Sequence, residues 1–153
     1  MGEAESLNEM VRSAGGYADP AIAAVVVDSL MMAGEKEGAC AIARSHPLVE
    51  PFKRRADVAC MVAAGDNAGA MAAAAALRGT DPLLAKLIEV AAGGLPPSAA
   101  PPTQLDGPAM VMLDLAYVQP PASSLRTTQP PLMRSLVAHR TLPMPMRLDI
   151  AER

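Results

Sequence analysis

The sequence has few aromatic residues and no long apolar run. Its 153 residues contain no tryptophan, and aromatic residues make up 2% of the chain. No apolar stretch reaches the roughly 18–20 residues that a membrane-spanning helix needs, so we expect no transmembrane segment. A core must therefore come from small and flexible side chains, chiefly 31 alanines and 11 methionines. Since alanine is the best helix former, this composition favours thin helices that pack closely.

An excess of positive charge is also missing. The formal net charge is −3, from 13 basic and 16 acidic residues. Proteins that bind nucleic acids normally carry a clearly basic face, so we expect no nucleic-acid partner. The acidic segment Gly2-Glu3-Ala4-Glu5 differs from the basic and then apolar order of a signal peptide. We therefore expect a cytoplasmic protein, or a periplasmic one if a leader was removed.

Cysteine is too scarce for a disulfide-built scaffold, because there are only two. Cys40 and Cys60 fall on consecutive predicted helices, at similar distances from a turn near residues 47–50. Two alternatives stay open. The sulfurs could bridge, which needs Cα atoms ~4.4–6.8 Å apart, or they could be inert thiols in the core. No close pair of cysteines or histidines completes a metal site, so we expect neither a metal nor a cofactor.

A repeat with a period of 31 residues is the main positive feature of the sequence. Residues 19–49 and 50–80 are two copies of one unit, and a third copy opens at Asp81. The matched dipeptides at the start of each copy are Asp19-Pro20, Glu50-Pro51 and Asp81-Pro82. Self-similarity at a fixed period of this size is typical of stacked, quasi-one-dimensional architectures.

Each copy has the start and stop signals of a helical hairpin. Proline is favoured at the first position of a helix, and Gly34 and Gly65 stand where the first helix of each copy should end. A short alanine-rich helix then returns, which predicts antiparallel pairs. We expect helices over about 3–14, 20–33, 37–45, 51–64, 68–77 and 83–92. The predicted fold class is all-α, with stacked antiparallel hairpins.

The spacing within the repeat resembles that of the tetratricopeptide repeat. A glycine, an alanine and a proline recur at fixed distances, at Gly34, Ala39 and Pro51 and again at Gly65, Ala70 and Pro82. The family period is about 34 residues, and its aromatic and Leu-Gly positions are absent here. The resemblance covers residues 19–94 and implies an α-solenoid of related geometry. It also implies a docking surface without catalytic residues.

Prolines cluster after residue 94 and change the character of the chain. We predict a helical-repeat domain over 1–94, followed by a proline-rich segment with short helices over 95–153. One such helix starts at Asp106 and Pro108, a second covers 132–139, and a third begins near Pro145. The third helix has no closing residue, so we expect the chain to be truncated. Arg147-Leu148 and Ala151-Glu152-Arg153, after a start at Leu142-Pro143, resemble segments of long alphaproteobacterial, and hence bacterial, helical-repeat proteins.

One basic run, Lys53-Arg54-Arg55, is the candidate partner-binding site. It falls in the first turns of a first-of-pair helix, which lines the concave face in related solenoids. Basic clusters hold acidic segments of partners, although a solvated helix face is the alternative. Neither His46 nor His139 has neighbours at a spacing that suggests a catalytic triad, so we expect no enzyme and no catalytic residue.

The function that the sequence favours is a non-catalytic protein–protein interaction or scaffold module. Its partner would be a protein or a peptide, and homo- or hetero-oligomers are both compatible with the pattern. A structural subunit of a larger envelope or motility assembly is one alternative. An enzyme whose site is formed by residues distant in sequence is the other.

Overall fold

The computed structural model describes residues 3–13, 15–96, 105–119, 144–145 and 147. These residues form seven helices and no strand, which confirms the predicted all-α class. The helices are α1 (Glu3–Ser13), α2 (Pro20–Met32), α3 (Lys36–Ser45), α4 (Phe52–Ala63), α5 (Asn67–Leu77), α6 (Pro82–Ala91) and α7 (Gly107–Leu115). Within the described ranges, no helix combines the length and the hydropathy that a membrane crossing requires.

Two predicted helices near the end of the chain lie largely outside the described residues. The helix over 132–139 lies outside the described residues altogether. Of the helix expected from Pro145, only Pro145 and Arg147 are described, and both are helical, as is the preceding Met144.

Aspartates begin four of the seven helices. Asp19, Asp66, Asp81 and Asp106 are N-caps whose side chains accept hydrogen bonds from backbone N–H groups of the first turn. Such bonds satisfy donors that a helix start leaves free. The start of α4 differs: the helix begins at Phe52, one residue later than predicted, and its N-cap Pro51 makes no side-chain bond. The reason is chemical, because proline has no side-chain acceptor.

Glycines end α2 and α4 in the same way. Gly34 and Gly65 have φ angles of 85° and 79°, a region that other residues rarely adopt. Their N–H groups donate to the carbonyls of Met31 and Val62 at 3.1 and 3.0 Å. The N–H groups of the following residues, Glu35 and Asp66, donate to the carbonyls of Leu30 and Met61, both at 2.9 Å. This paired pattern closes the helix and turns the chain toward the next one.

Neighbouring helices pack in chain order, and alternate helices also meet. α2 contacts α3, α3 contacts α4, α4 contacts α5 and α5 contacts α6, while α4 also contacts both α2 and α6. We call α2, α4 and α6 the first-helix row. In the returning helices, Ala39 and Ala70 occupy matched positions and are both fully buried. Such small side chains allow close approach of the backbones.

Helix α7 packs across all three helices of the first-helix row. Its residues Gly107–Leu113 are all buried. Of these, Ala109–Leu113 belong to the same apolar cluster as Val26, Ala59 and Ile88 of the row. The helix lies beyond the predicted boundary at residue 94, yet it shares one apolar cluster with helices that precede this boundary. The centre of the molecule therefore lies between the first-helix row and α7.

Candidate functional site

A single arginine joins α4 to the starts of two other helices. Arg55 donates to Oδ2 of Asp106 from Nε at 3.0 Å and from Nη2 at 2.7 Å. Its Nη1 donates to Oδ2 of Asp81. The Arg55 side chain is 18% exposed, so solvent screens these ion pairs only in part. The planar guanidinium suits this arrangement, because its fork of donors can serve two carboxylates at once.

The two carboxylates that Arg55 binds are both N-caps. Asp81 uses Oδ1 to accept the N–H of Leu84 at 3.1 Å, and Asp106 uses Oδ1 to accept the N–H of Ala109 at 2.9 Å. Each carboxylate thus caps a helix with one oxygen and binds Arg55 with the other. One cation on α4 therefore fixes the starting points of α6 and α7 together.

A third carboxylate, Asp28 of α2, contacts the first residue of α7. Its Oδ1 accepts the N–H of Gly107 at 2.6 Å. The pKa of Asp28 is raised from 3.8 to about 7. Burial is the main cause of the rise, and the negative charge of Asp106 adds to it. The bond from Gly107 and the charge of Arg55 act in the opposite direction and lower the pKa in part. The protonation of this carboxyl therefore changes near neutral pH.

Glycine is required where α7 meets α2. A Cβ atom on Gly107 would lie 2.6 Å from the carbonyl oxygen of Asp28 and 2.6 Å from Cβ of Met31. Both neighbours belong to the backbone or its first carbon, so neither can move without shifting the helix. The absence of a side chain at Gly107 lets α7 approach the backbone of α2 closely.

The far end of α7 also carries a charge contact. Nζ of Lys36, at the start of α3, lies 3.9 Å from Oδ2 of Asp114. These side chains are 29% and 19% exposed. Opposite charges therefore face each other at both ends of the α7 contact with the rest of the molecule.

The three residues of the predicted binding run have three different environments. Lys53 pairs with Asp57 one turn further along α4, Arg54 is exposed, and Arg55 is turned toward Asp81 and Asp106. The positive charge of Arg55 thus pairs with carboxylates of the same chain, a contact that the basic run itself does not predict. Partner contact by Lys53, Arg54 and Arg55 stays a prediction. Asp81 and Asp106 were expected to start helices, but no signal in one sequence links either of them to Arg55.

The two cysteines form a disulfide. Cys40 of α3 and Cys60 of α4 are bonded, with their Cα atoms 5.6 Å apart. Of the two alternatives that the sequence left open, the structure has the bridged pair. A cavity of about 150 Å³ lies beside the bond, lined by both cysteines and by Lys36, Glu37, Arg44, Ala63 and Ala64.

The remaining candidates for chemistry add little. The ring of His46 lies 4.8 Å from the ring of Tyr17, and His139 lies outside the described residues. In the ranges that the structure covers, no group of three or more histidines, cysteines and carboxylates is arranged to hold a metal ion.

The sequence matches no family model, and no curated protein or solved structure matches it either. The tetratricopeptide-like interpretation therefore depends on the residue spacing alone, and it stays a prediction.

Proposed function

We propose that the chain is a non-catalytic protein–protein interaction module built from tetratricopeptide-like hairpins. Its first-helix row binds a short apolar helix that starts with an acidic residue. Helix α7 is the occupant of this surface within the chain itself. The observation that supports the proposal is the position of α7, which contacts α2, α4 and α6 while Arg55 binds its acidic N-cap.

The contacts of α7 define the chemistry of a suitable partner helix. Its buried stretch is made of glycine, proline, alanine, methionine, valine and leucine, so the row accepts small and flexible apolar side chains. Apolar burial supplies the affinity of a helix in a groove. Arg55 adds direction, because charge-assisted bonds to the acidic cap fix which end of the helix lies over α4. A glycine after the cap is needed to pass Asp28 and Met31.

Two cations beside this surface are suited to attract an acidic partner. Lys53 is 43% exposed in its side chain, and Arg54 is exposed. Charges at the rim of an interface act mainly on the rate of association and on the choice of partner. We therefore assign Lys53 and Arg54 to steering, and Arg55 to holding the cap of the bound helix.

The test makes α7 a separable ligand of the full chain. A specific protease site is inserted between Leu95 and Leu105, and the folded protein is cut there. A labelled peptide of residues 105–119 is then added, and its exchange into the cut protein is followed by fluorescence anisotropy. We expect the fragments to remain associated after cutting and the peptide to replace the released segment.

Two peptide variants make the test specific. A peptide with Asp106→Ala loses both the cap and the pairing with Arg55, and we expect it to compete at least about tenfold less well. A peptide with Tyr117→Ala is the matched control, because Tyr117 is 95% exposed, and it should compete like the parent. Fragments that separate and unfold on cutting, or peptides that compete equally well, would contradict the proposal.

Exposed apolar residues at the N-terminal end favour a second candidate, a structural subunit of a larger assembly. Met10 of α1 and Ile22 and Val25 of α2 are 62%, 46% and 57% exposed. Ile22 and Val25 are three positions apart and so lie on one face of α2. If they mediate assembly, light scattering should show a mass that rises with concentration, and Val25→Glu should abolish the rise. A monomer at all concentrations would exclude this candidate.

A further inference from the structure

The disulfide forms part of the wall of a surface cavity. Cys40 and Cys60 are only 5% and 8% exposed, yet both line the cavity of about 150 Å³ between α3 and α4. Glu37 and Arg44 line the same cavity and are exposed, so the cavity reaches the surface. A small molecule that enters the cavity therefore meets both residues of the disulfide.

Two of the three charged residues that line this cavity are basic. Lys36 and Arg44 face one acidic group, Glu37. Lys36 also lies 3.9 Å from Asp114 of α7, so part of its charge is balanced there. Arg44 is exposed in the last turn of α3. It is therefore the cation best placed to attract an anion into the cavity.

We propose that Cys40–Cys60 is a thiol–disulfide exchange site for small thiols that carry a negative charge, such as a carboxylate-bearing thiol. The cavity admits the thiol, and Arg44 with Lys36 attracts its anionic group. The proposal does not depend on the binding of a partner helix. It assigns a covalent modification site to the contact between α3 and α4.

The exchange occurs in two balanced steps. The thiolate of the incoming molecule attacks one sulfur of the pair, the bond between Cys40 and Cys60 breaks, and the other cysteine leaves as a thiolate that takes up a proton. A second molecule of thiol then attacks the mixed disulfide. It releases the second cysteine and leaves as the small-molecule disulfide. In sum, two small thiols are oxidised to one disulfide, and the protein disulfide is reduced to two thiols.

Reduction would act on the contact between α3 and α4. The bond links these helices, and α4 carries Arg55, which binds the N-caps of α6 and α7. Lys36 of the cavity also faces Asp114 of α7. The redox state of the pair is thus connected, through packed helices, to both ends of α7.

The experiment measures the rate of reduction of the folded, full-length chain by three small thiols. Mercaptoethanesulfonate is anionic, 2-mercaptoethanol is neutral and cysteamine is cationic. Free cysteines are counted over time by alkylation and mass measurement. For each thiol, the rate of a variant is divided by the rate of the unchanged protein, so that the intrinsic reactivity of the thiol cancels.

Arg44→Glu is the test variant, and Arg12→Glu on α1 is the control with the same change in net charge. We expect Arg44→Glu to slow the anionic thiol by about three- to tenfold, to accelerate the cationic thiol and to leave the neutral thiol nearly unchanged. Arg44→Gln should give a smaller effect in the same direction. Arg12→Glu should have no such pattern, because Arg12 is 66% exposed on a helix that does not line the cavity.

Three results would overturn the proposal. One is a reduction rate that does not increase with thiol concentration, since the bond would then open only when the protein unfolds. Another is an equal effect of Arg44→Glu and Arg12→Glu on all three thiols. The third is a protein that, after purification in air, still carries two free thiols by mass.

Discussion

The middle helix of the first-helix row differs from its two neighbours at matched positions. Counting in steps of 31 residues, Arg54 of α4 stands where α2 has Ala23 and α6 has Ala85. Both alanines are buried, at 0% and 1% exposed, whereas Arg54 is exposed. Arg55 stands where α2 has Ala24, whereas α6 also has a basic residue at this position, Lys86. The candidate site thus combines a position that repeats, the acidic helix start at Asp81, with a position that differs between α2 and α4, Arg55.

The largest loss of stability should follow from replacing Arg55, whereas replacing its neighbour Arg54 should have little effect. Arg55→Ala leaves Asp81 and Asp106 partly buried without their cation, so we expect the free energy of unfolding to fall by about 3 kcal/mol. Arg54→Ala should change it by less than about 0.5 kcal/mol, as is usual at an exposed position. Urea denaturation measures both. Equal losses for the two variants would show that Arg55 does not hold the helix starts.

A smaller loss should follow from adding one methyl group at the α2–α7 contact. Gly107→Ala forces a shift of α7 away from Asp28 and Met31, and we expect a loss of about 2 kcal/mol. The matched control is Gly38→Ala within α3, where a Cβ would meet nothing within 4 Å. It should stabilise the protein by about 0.5–1 kcal/mol, because alanine favours the helix. Thermal unfolding of both variants is the measurement, and a neutral Gly107→Ala would contradict the close approach.

The pH dependence of stability should report the titration of Asp28. Since its pKa in the folded protein is raised from 3.8 to about 7, the folded state binds a proton that the unfolded state has lost between these pH values. Its contribution to stability is therefore complete below pH 3.8 and is lost as the pH rises through 7.

The comparison with Asp28→Asn isolates this contribution, because asparagine can still accept the N–H of Gly107 but does not titrate. Between pH 5 and 6, the unchanged protein should lose about 1 kcal/mol relative to the variant. Urea denaturation at several pH values measures the difference. Parallel pH profiles of the two proteins would show that Asp28 titrates normally.

The smallest loss of stability should follow from removing a helix cap, and it should differ between the two returning helices, α3 and α5. Asp66 caps α5 by accepting the N–H of Gly69 at 2.9 Å, whereas Glu35, at the matched position before α3, makes no side-chain cap bond. We expect Asp66→Ala to cost about 0.5–1 kcal/mol and Glu35→Ala to cost almost nothing. Thermal unfolding measures both losses. A larger loss for Glu35→Ala than for Asp66→Ala would show that the side chain of Asp66 does not stabilise the start of α5.

Local chemistry made the helix boundaries predictable. The acidic caps and the glycines at 34 and 65 act within one turn of the chain, so their effect can be inferred from neighbouring residues alone. The start of α4 was wrong by one residue, because Pro51 became the N-cap instead of the first helical residue.

Contacts between distant residues could not be predicted in the same way. Arg55 and Asp106 are 51 positions apart, and the proline-rich segment between α6 and α7 carries no signal that says where α7 returns. The position of α7 on the first-helix row, and with it the internal use of Arg55, depends on packing in three dimensions. The disulfide could be predicted only in part. The sequence placed Cys40 and Cys60 on neighbouring helices, but it did not give the rotation of each helix about its axis, which decides whether the sulfurs meet.

The docking of α7 against the first-helix row can be observed by nuclear Overhauser spectroscopy. In the folded, full-length chain, the α protons of Gly107 should show strong cross-peaks to the β protons of Met31, since a Cβ on Gly107 would lie 2.6 Å from Cβ of Met31. The amide of Gly107, which donates to Asp28, should exchange slowly with solvent. Absence of these cross-peaks, together with fast exchange of the α7 amides, would contradict the account.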